Sequence, residues 1–426
     1  MLFGVYIFGV AHSCQEKTAI IMGACSEFPI SFAKEFSRAR RSRCEGSVAR
    51  PLRRAHLGLT KSVIYAIFLI DFSPARGVSL IQKNKSSSLQ ADSTVVPGAE
   101  RRIPLLHGTD DPFSCVSESL QLVEENLVRA VRSRELDLTR IASHLIDSGG
   151  KRVRPMVTLL AYFAFGGQRT QDIVDIATAI ELIHTATLLH DDIIDGAETR
   201  RGKESAFKKF GLKSTLVTGD FLFIKAFEFA GKFDETVVQW TADACTLLTE
   251  GEILQGHFNR NRAVTVEDYL EIVKRKTASL FHTGAKVGAY LAGAHSSLVD
   301  EAESYGLNMG IAFQMVDDIL DVVGHIDLLG KPIGMDLRDG NPALPIILSV
   351  IDGDPATIGA FENGKPTEAQ INAALDSIKT GSSIQEAKSL SKRYAREALK
   401  AVKKLPPSMY RNGLKSLVQL IIDRDF

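Results

Sequence analysis

The sequence predicts an all-α protein: one large helical bundle over residues 109–426, with its site in a central cavity between facing helices, behind a poorly ordered extension over 1–108. Three observations carry this. Apolar residues recur at helical spacing from about Asp111 to the C-terminus. Alternating strand patterns are absent over the same stretch. An Asp-Asp-x-x-Asp cluster closes an apolar helical run twice, at Asp191-Asp192-x-x-Asp195 and at Asp317-Asp318-x-x-Asp321.

Residues 1–108 lack a sustained helical period and carry a basic block from Lys34 to Arg54, then the polar run Lys83-Asn84-Lys85-Ser86-Ser87-Ser88. Their Arg and Ser content suits a mitochondrial or plastid transit peptide, but such peptides are basic and amphipathic from the start, and Met1–Val10 bears no charge. Translation starting further in is the other reading. Beyond Asp111, Leu120, Val123, Leu127 and Val131 mark one face of a first helix, with Glu124, Glu125, Arg129 and Arg132 for the other. Helices are expected over 113–146, 153–164, 171–195, 214–231, 234–257, 266–292, 297–323, 343–351, 367–378, 383–404 and 409–424. Gly166-Gly167, Gly211 and Asp352-Gly353-Asp354-Pro355 mark turns between them.

With 51 basic and 51 acidic residues in 426, the chain has no net charge to recommend a nucleic-acid partner. Cys14, Cys25, Cys44, Cys115 and Cys245 are scattered, without metal-ligand pairing or a disulfide framework, so a reducing compartment such as the cytoplasm is expected. No apolar run reaches the roughly 20 residues of a membrane-spanning helix.

On a helix, Asp191 and Asp195 stand one turn apart on one face. Carboxylates that close repel, and a hard divalent cation between them relieves the repulsion; Mg²⁺, which also takes substrate phosphates, suits the site best. A solvated helix end explains one such cluster equally well. Two clusters facing each other would make one polynuclear metal site. Cations stand where phosphates would need them: Lys151 and Arg154 follow Gly149-Gly150 at a loop-to-helix junction, Arg200-Arg201-Gly202 follows the first cluster, and Lys276-Thr277 and Lys331 complete the set.

In order along the chain, Gly149-Gly150-Lys151-Arg152-x-Arg154-Pro155, His184 with Asp191-Asp192-x-x-Asp195, Arg200-Arg201-Gly202, Gly219-Asp220, Gly251-Glu252-x-x-Gln255, Lys276-Thr277, Phe313-Gln314-x-x-Asp317-Asp318-x-x-Asp321 and Gly330-Lys331-Pro332-x-Gly334-x-Asp336-Leu337 resemble the motifs of trans-type polyprenyl diphosphate synthases, from about residue 113 onward. The resemblance implies the isoprenoid synthase type of bundle and a condensation of isopentenyl diphosphate with an allylic diphosphate. It implies that Asp191, Asp195 and Asp317 ligate Mg²⁺, with Asp192 and Asp321 in support. Arg200, Lys276 and Lys331 would then neutralise the allylic diphosphate, while Lys151, Arg154, His184 and Arg201 would bind isopentenyl diphosphate. Thr277 and Gln314 would line the reacting centre. A lone histidine on an apolar helix is otherwise a core residue, and only its motif recommends His184.

Breaking an allylic carbon–oxygen bond leaves a carbocation and a more negative diphosphate, which explains metal and fixed cations in place of a protein nucleophile. Leu188, Leu189, Phe221, Phe223, Phe227 and Phe313 are the expected apolar wall. Ala186 and Thr187, with Ile183 a turn deeper, stand where short-product members carry an aromatic floor, so the resemblance is to long-chain members supplying quinone tails; geranylgeranyl or farnesyl diphosphate is the alternative product. Asn341-Pro342-Ala343-Leu344-Pro345 departs from the family, which has threonine before Leu-Pro. A class I terpene cyclase would replace the second aspartate motif, a non-catalytic subunit of a heteromeric synthase would lose aspartates or basic anchors, and a cation-binding structural bundle would not need the basic motifs. The family is generally homodimeric, and a long polyprenyl product implies peripheral membrane contact.

Overall fold

The computed structural model describes residues 7–13, 16–22, 111–324 and 333–423, and the chain divides into two units, 1–95 and 96–426. In the first unit, β1 (Ile7–Ser13) pairs antiparallel with β2 (Glu16–Met22), with Ser13 opposite Glu16. No strand is expected there from sequence, because Cys14-Gln15 lacks the Asn-Gly or Asp-Gly chemistry of a tight hairpin. The rest of the expected disordered extension lies outside the described residues.

In the second unit, helical periodicity becomes helix in the expected order. After a short 3₁₀ turn come α1 (Ser117–Ala130), α2 (Leu136–Ile146), α3 (Val153–Ala164) and α4 (Thr170–Ile194). The single helix expected over 113–146 is in fact two, and Ser133 at the break accepts Glu135 N–H on its hydroxyl while donating its own N–H to Thr139 Oγ1. A two-stranded turn, β3 (Thr199–Arg200) with β4 (Lys203–Glu204), precedes α5 (Ala206–Phe210), α6 (Leu212–Ala230) and α7 (Glu235–Phe258). Next are α8 (Val266–Val273), a π-helical turn over Lys274–Ala278, α9 (Ser279–Leu291) and α10 (Ser296–Val323). Then come α11 (Met335–Asp339), α12 (Leu344–Ile351), α13 (Pro355–Phe361), α14 (Glu368–Thr380), α15 (Ser383–Lys404) and α16 (Met409–Ile422). The short α5, α11 and α13 escape sequence analysis because five to seven residues hold too few turns to show a period.

Caps explain several starts. Thr265 with Asp268, and Thr367 with Gln370, form reciprocal capping boxes, and Asp354 accepts Thr357 N–H to launch α13. α4 is the axis of the bundle: from Ile173 to Leu189 almost every side chain is buried, against α6, α3 and α1. It is long and apolar enough by length and composition to cross a membrane, yet 78% of its most apolar window is buried by the other helices. α10 packs along α15 and α9. On α15 the buried Ile384, Ala387, Ser391, Ala395, Ala398 and Val402 follow the 3.6-residue period, and small residues on that stripe let the two axes approach. Each fully buried Leu or Ile in such contacts contributes roughly 1.5–3 kcal/mol.

Candidate active site

The decisive feature is the meeting of two helix ends. Asp191, from the last turn of α4, and Asp317, from α10, line one cavity of about 500 Å³ together with Arg154, His184, Thr187, Glu252, Lys276, Thr277 and Gln314. Leu188, Phe223, Leu248 and Phe313 form its apolar wall. The residues between the two aspartates fold into helices that return the chain to the same place. A smaller space of about 160 Å³, lined by Asp195, Gln255, Tyr269, Asp318, Asp336 and Asn341, shares the wall of Lys276, Thr277 and Gln314.

That wall is shaped by the π turn. A π turn inserts one residue into a helix and re-aims its side chains, and here it carries Lys276 and Thr277. Two glycines let neighbouring helices press against it: a Cβ on Gly251 would stand 2.7 Å from Lys276 N, and one on Gly310 2.7 Å from Ala278 Cα. Thr277 Oγ1 donates to Gln314 Oε1 (2.8 Å), and Gln314 Nε2 donates to Asp318 Oδ1 (2.8 Å). The other Asp318 oxygen accepts Tyr269 O–H at 2.7 Å and Leu344 N–H at 3.1 Å. Asp318 is therefore an anchor for Gln314 and for the entry to α12, the stretch whose Asn-Pro-Ala departs from the family pattern. Burial pushes its carboxyl up to about 6.

The carboxylates divide by role. Asp191 is pushed up to about 6, first by burial and then by Glu252 and Asp195, with Lys276 pulling the other way. Burial also raises Asp195, which Lys276 again opposes. Asp192 points away from the cavity: its side chain is fully buried, one oxygen accepts from Arg200 Nε, and among the described residues Oδ2 has no hydrogen-bond partner. Asp321 is also buried and accepts Asp336 N–H at 3.1 Å, while its carbonyl accepts Gly334 N–H at 2.7 Å. It thus holds Gly334 and Asp336 at the start of α11; Lys331 lies outside the described residues. Lys276 is ion-paired to Glu252; burial lowers the ammonium pKa, but Asp191, Glu252 and Asp195 raise it further, so the cation is secure.

On the opposite wall, Arg154 Nη1 lies 3.3 Å from His184 Nε2 and its guanidinium sits 4.7 Å over the Phe281 ring. Burial, then the charges of Arg154 and Arg201, hold His184 well below its ordinary pKa, so it is a neutral imidazole able to accept from Arg154. Arg201 (φ 52°) and Gly202 (φ 74°) are both left-handed, the geometry of a type I′ turn between β3 and β4. Lys151 is exposed at the start of the α3 loop.

The expected wall needs correction. Leu188, Phe223 and Phe313 line the cavity, but Leu189 is fully buried in the core and Phe227 is 36% exposed on the outer face of α6. Phe221 packs on the edge of the core beneath Lys225. Of the chain-length residues, Thr187 reaches the cavity, whereas Ala186 and Ile183 are fully buried in the bundle core. The physical reason is the 100° step between helix neighbours, which turns adjacent residues to different sides. Sequence analysis missed Tyr269, the anchoring by Asp318, and Glu181, although a charge inside the apolar run of α4 is itself a signal of a buried partner.

A family model described as polyprenyl synthetase matches residues 135–378, more than half of the chain. The chain belongs to the polyprenyl synthetase family. Octaprenyl diphosphate synthase of Haemophilus influenzae is 32% identical over 327 residues, covering 75% of this chain and 98% of the relative. Heptaprenyl diphosphate synthase component 2 of Geobacillus stearothermophilus is 35% identical over 315 residues, covering 74% and 98%. Among solved structures, polyprenyl synthase of Caulobacter crescentus, complexed with calcium and isoprenyl diphosphate, superposes with a TM-score of 0.70 at 32% identity, over 77% of this chain and 99% of that one. The protein is thus a trans-prenyltransferase of the prenyl diphosphate synthase kind, similar to long-chain members, and its all-α bundle is the isoprenoid synthase fold.

Proposed function

We propose that the enzyme condenses isopentenyl diphosphate with an allylic diphosphate in a Mg²⁺-dependent reaction, extending the product repeatedly to a long trans polyprenyl diphosphate. The observation that carries this reading is the cavity in which Asp191 and Asp317 face Lys276 and Arg154 above an apolar wall.

The donor set fits magnesium. Among the described residues no three His, Cys, Asp or Glu side chains could hold one ion by themselves. Mg²⁺ takes one or two carboxylates and fills its remaining positions with water and phosphate oxygens, so an ion arriving with a diphosphate suits single aspartates on facing helices. Asp191, Asp195 and Asp317 would each contribute to holding such ions together with the diphosphate, with Asp192 and Asp321 in support. Burial, Glu252 and Asp195 raise Asp191 despite Lys276, which is the electrostatic demand a cation would meet. When bound, the ion supplies positive charge to the departing diphosphate.

The chain's own groups do the rest. Lys276, Arg200 and Lys331 bind the allylic diphosphate, and Lys276 must leave Glu252 to do so. Lys151, Arg154, Arg201 and neutral His184 hold the second diphosphate. Leu188, Phe223 and Phe313 keep water from the allylic cation after the carbon–oxygen bond breaks. The double bond of isopentenyl diphosphate then supplies the electron pair of the new carbon–carbon bond, and loss of a proton to the released diphosphate restores a trans double bond. Gln314, its amide locked between Thr277 and Asp318, and Thr277 line the reacting carbons.

Thr187 puts a small side chain, not an aromatic one, at its place in the cavity wall, which supports products beyond geranylgeranyl diphosphate. Purified protein given isopentenyl diphosphate, farnesyl diphosphate and Mg²⁺ should yield prenols of thirty carbons or more; chains stopping at twenty would reject the long-chain reading. Exposed Leu212, Leu216, Val217, Ile224 and Phe227 on α6 support association through this face with a second copy. Light scattering should give twice the chain mass; a monomer active only after a different protein is added would favour a heteromeric synthase.

A further inference from the structure

One charged residue of the Lys151–Arg154 stretch has no part in the chemistry above. Arg152 stands between two diphosphate-binding cations, yet it is only 4% exposed and does not line the cavity. Its backbone is left-handed (φ 49°), a conformation that strains a non-glycine residue. Its guanidinium is held from two sides. Nε and Nη2 donate to the two oxygens of Glu124 on α1, with Nη2 at 3.2 Å, and Nη1 donates to Glu181 Oε1 on α4 at 2.8 Å. Both glutamates are buried, at 6% and 3% exposure. Burial alone would lower the guanidinium pKa, but the two carboxylates more than offset it, so the guanidinium stays charged.

The triad also touches its neighbours. A Cβ on Gly150 would lie 3.0 Å from Arg152 Nη1 and 3.3 Å from Arg201 Nη1, so the two guanidiniums flank one point of the loop backbone. Arg152 and Arg201 repel each other, and the same Glu181 attracts Arg201 and Arg154. Glu181 sits one turn before His184 on α4. One buried carboxylate therefore faces every arginine of this wall before any diphosphate arrives.

We infer that Arg152, clamped between Glu124 and Glu181, is a positioning residue for the isopentenyl diphosphate cradle, holding the Gly149–Arg152 loop and the start of α3 so that Arg154 faces the cavity with Lys151 and Arg201 close to it in the chain's fold. Bidentate arginine pairing to carboxylates on two different helices fixes direction as well as distance. A cradle ordered in advance spares the substrate the entropy of ordering it. This inference rests on the proposed assignment of isopentenyl diphosphate to that wall.

The test compares Glu181→Gln and Arg152→Lys with the unaltered enzyme, varying each substrate in turn and recording thermal melting by circular dichroism. Positioning predicts a KM for isopentenyl diphosphate raised roughly 10- to 100-fold, with kcat and the allylic KM changed less than about threefold. Glu181→Asp should recover part of the loss. The sign is informative, because removing a negative charge near two diphosphate-binding arginines would by itself tighten an anion. A lower KM for isopentenyl diphosphate, equal changes in both KM values, or a lower melting temperature with neither KM altered would each overturn the inference. If Glu181→Gln does not fold, Arg152→Lys, which keeps the charge and loses the fork, decides by the same readout. Failure of the underlying reading looks different: the unaltered enzyme would form no prenyl product from isopentenyl diphosphate at all.

Discussion

Replacing Glu252 by Gln isolates the competition between a protein carboxylate and a substrate diphosphate for one cation. In the structure Lys276 is ion-paired to Glu252, and both side chains are about one-fifth exposed, at 23% and 22%. A pair on the surface is worth about 0–1 kcal/mol, whereas breaking a fully buried one costs roughly 3–5 kcal/mol. This half-buried pair falls between, at about 1–2 kcal/mol, which the allylic diphosphate must recover when it draws Lys276 away. The amide keeps the shape and removes the charge, so the KM for farnesyl diphosphate should fall roughly 5- to 30-fold. The KM for isopentenyl diphosphate, bound on the Arg154 wall, should change less than about twofold. Glu252 also raises Asp191 and Asp195, so half-saturation by Mg²⁺ should move to higher concentration in the same variant. Steady-state kinetics with radiolabelled isopentenyl diphosphate, each substrate varied at saturating partner, provide all three numbers. An unchanged allylic KM, or an equal fall in both, would refute the idea that Glu252 restrains Lys276.

Three other outcomes follow from the geometry. Asp191→Ala or Asp317→Ala should reduce turnover below detection while the far-ultraviolet circular dichroism spectrum stays helical; near-normal rates in either variant would overturn the metal roles. Asp318→Ala strands three buried donors, from Tyr269, Leu344 and Gln314, at about 1–2 kcal/mol each, so urea denaturation should show a loss of roughly 3–6 kcal/mol; less than about 1 kcal/mol would mean the network is replaceable. Glu303 is held at about 2, chiefly by its hydrogen bond with His282 and then by Lys286. Its folded pKa lies below its unfolded one, so its stabilisation is complete above about pH 4.5 and disappears as pH falls toward 2. With a partly exposed side chain the effect at pH 7 is held to about 1 kcal/mol. Glu303→Gln should therefore lower the melting temperature at neutral pH and match the unaltered protein near pH 2, and a constant difference across that window would exclude the pair as its source.

Two aspartate clusters at the ends of apolar helical runs, and basic residues after paired glycines, were legible without coordinates because each signal is local. Helix periodicity, turn glycines and like-charge crowding act over a few residues, so α4 and α10 and the acidic cluster near the end of each could be anticipated. Which face each side chain takes is another matter. Leu188 lines the cavity while Leu189 is core, and Asp191 faces the site while Asp192 turns to Arg200, because the facing helices decide which side of α4 is hollow. The π turn that presents Lys276 and Thr277 was equally out of reach, since its sequence reads as ordinary helix and only the pressure of Gly251 and Gly310 on both sides makes its inserted residue visible.

The sequence by itself determined the long helices, their order, and the carboxylates and cations that the chemistry needs, all through signals between near neighbours. Tertiary structure alone decided the partners: Glu252 for Lys276, Tyr269 for Asp318, Glu124 and Glu181 for Arg152. These pairs join separate helices, and the strength of each depends on burial and direction, quantities that exist only once the helices have packed.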